Sequence, residues 1–251
     1  ENVEFRLQVQ CCPPTLVSIK TYENFGSLLF VGIPLVVSVK SIFASHTVVD
    51  WYLDGQRVLR DSPSYTPTSA TVGKCLSVIV VAVRDDCRSA SETYQFQHVV
   101  EGRPRNAILD LRPDFCQPRA SSANGSDNHR LRVLSYNILA DLNAFSALAQ
   151  TSFYPYCDAK YIFKERRLPL ILHEILQYQA DVFCLQEVDF GVFHGLLKPV
   201  LEHFGYQGFF SSKQGSREGG AVFWSLQVFE AVPVTEMRSV AIRDLFGKDD
   251  C

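Results

Sequence analysis

Two short stretches of this sequence hold side chains suited to phosphoryl chemistry. The first is Ser135-Tyr136-Asn137-Ile138-Leu139-Ala140-Asp141, a strand-like run that ends in a polar side chain. The second is Asp181-Val182-Phe183-Cys184-Leu185-Gln186-Glu187-Val188-Asp189, an apolar run that ends in carboxylates. A carboxylate at the end of a buried strand is costly unless something compensates its charge. A divalent cation is one such partner. Mg²⁺ uses few protein carboxylates, keeps several waters and leaves positions for phosphate oxygens.

The elements that must position these groups read as alternating strands and helices. Leu131–Asn137 is a strand. Lys164–Gln179 is a helix, with Leu168, Ile171, Leu172 and Ile175 at 3-to-4 spacing and Pro169 expected in its first turn. Asp181–Gln186 is apolar almost throughout, as a strand covered on both faces must be. Gly191–Phe204 predicts a second helix, stopped by Gly205. Two further strands follow, at Tyr206–Ser211 and Gly220–Trp224. Such alternation predicts an α/β layered domain over residues 131–251.

Residues 1–100 have a different texture. Val3, Phe5, Leu7 and Val9 alternate with polar residues, the period of a half-buried strand. Val49, Trp51 and Leu53 alternate and end at Asp54-Gly55, a strong hairpin pair. Leu76–Val83 is a Val/Ile run suited to a central strand, and Tyr94 and Phe96 alternate in a last one. Trp51-Tyr52-Leu53-Asp54-Gly55, followed by Tyr65-Thr66-Pro67, resembles immunoglobulin-like modules built around a core tryptophan. The predicted fold class is therefore α+β, an immunoglobulin-like β-sandwich (1–100) before the α/β domain. Residues 101–130 read as a linker, rich in Arg, Pro, Ser and Asn, that carries either solvated charge or a phosphate-contacting strap.

Composition narrows the function classes. Of 251 residues, 47% are hydrophobic and 20% charged, which excludes a disordered chain. The net charge of −3 gives no overall attraction to nucleic acid, so any such binding must be local. The longest apolar runs, Leu28–Val39 and Leu76–Val83, fall short of the ~20 residues of a membrane span. Eight cysteines without a CxxC pair predict reduced thiols and argue against zinc.

Together the two motifs are similar to those of the endonuclease/exonuclease/phosphatase superfamily, in its deadenylase and 2′-phosphodiesterase branch. Tyr154-Pro155-Tyr156-Cys157 and Glu218-Gly219-Gly220-Ala221-Val222-Phe223-Trp224 add to the likeness, which is strong over 131–224. The resemblance implies that Glu187 is the Mg²⁺ ligand, and that Asn137 holds the scissile phosphate or a metal-bound water. It implies Mg²⁺-dependent removal of adenylates from RNA or 2′,5′-oligoadenylate, and a mitochondrial location, with the cytoplasm as the alternative. Arg167 matches a family arginine that either contacts substrate phosphate or makes a structural ion pair. Asp141 and Asp189 read as structural. His173, His194 and His203 read as helix-surface residues, and none matches the family's catalytic histidine.

The resemblance also implies motifs that this sequence lacks: an HLxW-type strand, a GDFN-type strand end and a final Asp-His pair. Half of the family's two-sheet fold is expected to leave one apolar sheet face open. Three explanations stand: a sequence that covers part of a longer protein, a remainder on another chain, or a degenerate domain. The last motivates the alternative function, a catalytically incomplete structural or RNA-binding subunit of a large, organellar ribosome-like assembly.

Overall fold

The computed structural model of the chain describes residues 12–21, 28–104, 131–213 and 215–237. The predicted strand at Val3–Val9, most of the 101–130 linker and the end of the chain lie outside the described residues. The chain divides into two compact units, Glu1–Pro104 and Arg105–Cys251.

The first unit is built of β-strands: β1 (Thr15–Lys20), β2 (Leu29–Phe30), β3 (Leu35–Val36), β4 (Ser38–Ile42), β5 (His46–Leu53), β6 (Gln56–Leu59), β7 (Ser64–Tyr65), β8 (Cys75–Arg84), β9 (Cys87–Arg88) and β10 (Glu92–Glu101). Its main sheet runs β2-β10-β8-β5-β6, with β9 on β8, and two-stranded sheets form from β1-β4 and β3-β7. The Val/Ile run becomes the central strand β8. The β5–β6 turn has Asp54 at φ 48° and Gly55 at φ 80°. Both angles are positive, which suits the twist of a two-residue hairpin. Trp51 is fully buried, with its ring 5.4 Å from Tyr65 of the small β3-β7 sheet and 5.8 Å from Phe96 of β10. Its indole N–H donates to the Ser62 carbonyl at 2.8 Å, so the one polar atom of this core ring is satisfied.

The second unit carries the two motifs. Its sheet runs β11-β12-β14-β13, formed by β11 (Val133–Asn137), β12 (Val182–Asp189), β13 (Tyr206–Ser212) and β14 (Glu218–Ser225). β11 and β12 are parallel, with Asn137 opposite Gln186, so both motifs end at the same edge of the sheet. The crossover between them contains α1 (Asp141–Ala144), α2 (Ala159–Ile162) and α3 (Lys164–Tyr178). Leu168, Ile171, Leu172 and Ile175 of α3 are buried. Pro169 is the sixth residue of α3, not part of its first turn as expected. It sits buried inside the helix and has no N–H for the Glu165 carbonyl. After β12 the chain forms α4 (Phe190–Val192), a π-type stretch over Phe193–Leu197, and α5 (Lys198–His203). Gly205 then ends the helical run at φ 82°.

The two faces of this sheet differ. Phe183, Leu185, Ala221 and Phe223 are buried on one, where Phe193 packs 5.3 Å from Phe223. Gly208 is opposite Phe223, and a Cβ there would fall 2.3 Å from the ring, so only glycine lets that ring lie across β13. On the other face Val133 is 59% and Val222 41% exposed, beside half-exposed Val182, Cys184, Phe209 and Trp224. Among the described residues the open apolar face expected from sequence is present.

Arg167 locks the loop between β11 and α1. It donates from Nη1 to the carbonyls of Ile138 and Leu139 (2.8 Å for the latter), from Nε to the Ile162 carbonyl at 3.2 Å, and from Nη2 to Asp141 at 3.3 Å. Its side chain is only 15% exposed. Burial pushes the guanidinium pKa down, opposed by the charge of Asp141 and Asp189, yet an arginine remains charged. One side chain thus satisfies three carbonyls that no helix or sheet ladder serves.

Two outcomes follow for the full chain. Trp51→Ala should destabilise the first unit by about 3–5 kcal/mol in urea unfolding followed by circular dichroism. Arg167→Ala should speed amide hydrogen exchange at Leu139–Ala144, while the amides of β13 keep their protection.

Candidate functional site

The site forms where β11 and β12 end. The register between β12 and β14 slips between Leu185 and Val188, so Gln186 and Glu187 together face Gly220 alone. Such a bulge re-aims one side chain. Glu187 takes it up with φ 53°, in the left-handed region that glutamate seldom adopts. Gly219, beside the bulge, is closely packed: a Cβ would sit 2.0 Å from the Ser211 carbonyl oxygen. In the loop after β11, Leu139 is also left-handed, at φ 60°. Its N–H donates to Asn137 Oδ1 at 2.9 Å, which turns the Asn137 amide nitrogen towards β12.

The two sequence-predicted residues meet there. Asn137 Nδ2 donates to Glu187 Oε1 at 2.8 Å. Glu187 Oε2 accepts from Asn143 Nδ2 at 2.8 Å and from the Ala140 N–H at 3.3 Å. Asn143 Nδ2 also donates to Glu218 Oε2 at 3.1 Å. Glu218 Oε1 accepts from Lys213 Nζ at 3.1 Å. The site therefore holds two carboxylates, two carboxamides and one ammonium. Partial burial raises the Glu187 pKa, but the bonds from Asn137, Asn143 and Ala140 and the charge of Lys213 outweigh it. The net result is a carboxyl held below its ordinary value. Glu218 is buried, with its side chain 11% exposed, whereas that of Lys213 is 73% exposed. The carboxylate is fixed and the cation can swing.

An ionised carboxylate at an open strand end, next to amide groups and a mobile ammonium, can hold a hard cation and face a phosphate. Among the described residues no group of three or more His, Cys, Asp or Glu is arranged to ligate a metal. Mg²⁺ binds through one or two carboxylates and keeps its waters, and the donor set of Glu187, Glu218 and two carboxamides suits such a cation.

Other sequence candidates have other roles. Arg167 faces inward and is spent on backbone carbonyls and Asp141, so it takes the structural alternative, not the phosphate contact. Asp141 pairs with Arg167 and with Lys164 at 3.3 Å, and its N–H donates to Asp189 at 3.1 Å. His173 bonds Gln177 at 2.7 Å. His194 packs with its ring tilted against Phe190, centroids 4.3 Å apart, and burial, then Lys198, lowers its pKa. His203 sits edge-on to Phe204.

Asn143, Lys213 and Glu218 were not singled out by sequence reasoning. Glu218 had a readable signal, since it opens an apolar strand as Glu187 closes one. Asn143 and Lys213 gave none, because a one-turn helix and a turn lysine have no periodicity.

The sequence is similar to those of known proteins. Residues 134–245 match the Endonuclease/Exonuclease/phosphatase family. The chain is 35% identical over 199 residues to human 2′,5′-phosphodiesterase 12, which covers 79% of this chain and 30% of that protein. It is 33% identical over 152 residues to mouse nocturnin, covering 54% of this chain and 33% of that protein. A crystal structure of ANGEL2, described as a 2′,3′-cyclic phosphatase, is 33% identical and covers 38% of this chain and 27% of that one, with a TM-score of 0.34. The chain thus spans about a third of the length of these relatives. Residues 134–245, with the Asn137–Glu187 site inside them, belong to the endonuclease/exonuclease/phosphatase family.

Proposed function

We propose that the protein containing this chain is a Mg²⁺-dependent phosphodiesterase that removes nucleotides from RNA or 2′,5′-linked oligoadenylate. One observation carries the reading: the Asn137 amide and the Glu187 carboxylate share a 2.8 Å hydrogen bond at adjacent strand ends, within reach of solvent. The names of the relatives, a 2′,5′-phosphodiesterase and a 2′,3′-cyclic phosphatase, both specify phosphoryl groups on ribose hydroxyls. These names support the substrate class in this reading.

In this reading Glu187 would hold the cation, kept ionised by its three hydrogen-bond donors and the nearby charge of Lys213. When bound, Mg²⁺ neutralises charge on the phosphoryl oxygens and promotes ionisation of water. Asn137 orients the scissile phosphate through Nδ2 or a bound water. Lys213 leaves Glu218 and pairs with a non-bridging phosphate oxygen. Hydrolysis then forms a bond from the water oxygen to phosphorus and breaks the bond to the ribose oxygen, which gains a proton.

The same reading extends to architecture and place. It takes the first unit as an immunoglobulin-like sandwich around Trp51, and the second as part of a DNase I-like sandwich. It also assigns the protein to mitochondria, which imaging of the tagged full-length protein would test.

Hydrolysis of oligoadenylate by the full-length protein in Mg²⁺ tests the function. Glu187→Ala should reduce it to background, and Lys213→Ala should lower kcat/KM about 10²-fold, the cost of one transition-state charge contact. Activity that survives Glu187→Ala removes the metal assignment. A second outcome concerns acid stability. Glu187 has a lowered pKa in the fold, so its contribution is complete above the ordinary glutamate value. It is lost as pH falls through the lowered one. Glu187→Gln should therefore flatten the acid limb of the melting-temperature profile in that window.

A further inference from the structure

Asn143 belongs to none of the sequence motifs, yet it makes the contact that joins the two carboxylates of the site. Its amide nitrogen has two N–H donors. One goes to Glu187 Oε2 at 2.8 Å and the other to Glu218 Oε2 at 3.1 Å. Those acceptors stand on β12 and β14, on either side of the bulge, and Asn143 reaches both from α1. Two carboxylates that face one another repel, and a shared amide between them offsets that repulsion while it fixes both oxygens.

The anchor is firm. Glu218 is buried and is held from its other oxygen by Lys213. The helix that carries Asn143 is held too: Asp141 meets Arg167, Lys164 and Asp189, and Ala144 is buried. The remaining donors to Glu187 are less restrictive. Asn137 is exposed and bonds only Oε1, and the Ala140 N–H lies 3.3 Å from Oε2. Among the described contacts, the shortest bond to Oε2 therefore comes from Asn143, and it ties that oxygen to the buried carboxylate.

We propose that Asn143 is a positioning residue that sets the divalent-cation affinity of the site by locking the Glu187 carboxylate to Glu218. This rests on the assignment of Glu187 as the metal ligand. A ligand carboxylate whose orientation is fixed by outer hydrogen bonds binds its cation with less reorganisation, and loss of such a partner typically costs 10–100-fold in metal affinity. Aspartate at position 143 would remove both donors and add a third negative charge. Alanine would free the carboxylates to repel one another.

The test is titration of the full-length protein with Mn²⁺, read from the electron paramagnetic resonance signal of the free ion, which needs no turnover. Asn143→Ala should weaken Mn²⁺ binding about 10–100-fold, and excess Mg²⁺ should recover much of its kcat. Glu218→Ala, which removes the anchor but keeps Asn143, should weaken binding in the same direction, and it carries the test should Asn143→Ala fail to fold. Wild-type Mn²⁺ affinity in both variants, with binding abolished in Glu187→Ala, overturns the proposal and leaves Asn143 a structural cap. Wild-type affinity in Glu187→Ala itself overturns the metal assignment, and this proposal falls with it.

Discussion

The site depends on one arrangement: the ionised carboxylate of Glu187, aimed outward by a bulge and held by donors from three places. Asn137 comes from the end of β11, Asn143 from α1 and the Ala140 N–H from the loop between them. None of these groups is near Glu187 in sequence. They converge because β11 and β12 are parallel neighbours in register, with Asn137 opposite Gln186. In a parallel pair, strands joined by a crossover end at the same edge of the sheet. The bulge then adds the one extra residue that turns Glu187 towards that edge.

Supports for this register lie beneath the sheet and at its far end. Glu174 of α3 is buried and accepts from Tyr136 at 3.0 Å and Tyr178 at 2.8 Å, which ties β11 to the helix. Asp181 is buried and accepts from the Arg132 N–H at 2.7 Å, which pins the start of β11 against the start of β12. A one-residue slip would turn every side chain of β11 to the other face, so these buried polar contacts specify register as well as add stability. Arg167 acts at the opposite end, where it holds the loop that delivers Ala140 and Asn143. Bonds at both ends of a five-residue strand leave it little freedom to shift.

Much of this was legible in the sequence, for reasons that can be named. The Leu168–Ile175 spacing gave α3, the apolar run gave β12, and Asp54-Gly55 gave the hairpin turn. The meeting of Asn137 and Glu187 was legible because both close strands that must be neighbours. The helix start at Lys164 was legible too, and counted from it Pro169 falls in the second turn, not the first. The Arg167 role was left open because an arginine in the first turn of a helix looks the same in sequence whether it bonds carbonyls or a phosphate. Only the path of the 138–141 loop decides between them. Asn143 and Lys213 were illegible because their importance comes wholly from tertiary placement. The bulge was hidden as well, since Gly219-Gly220 signals backbone approach but not which partner strand gains the residue.

Backbone strain explains why so many donors gather at one carboxylate. Leu139 and Glu187 both hold left-handed conformations, at a cost of about 1–2 kcal/mol each for residues with a Cβ. A hydrogen bond to a charged group contributes about 1.5–3 kcal/mol when shielded, and less where the group is partly exposed as Glu187 is. Three such bonds outweigh the strain of two residues even after that discount. The bonds can form only if Leu139 turns its N–H to Asn137 and Glu187 turns away from its strand. Strain and hydrogen bonding are thus one cooperative unit, in which neither left-handed residue is stable without the donors that the other places. Because these donors orient the Glu187 carboxylate and keep it ionised, little of a ligand's binding energy would go to ordering the site.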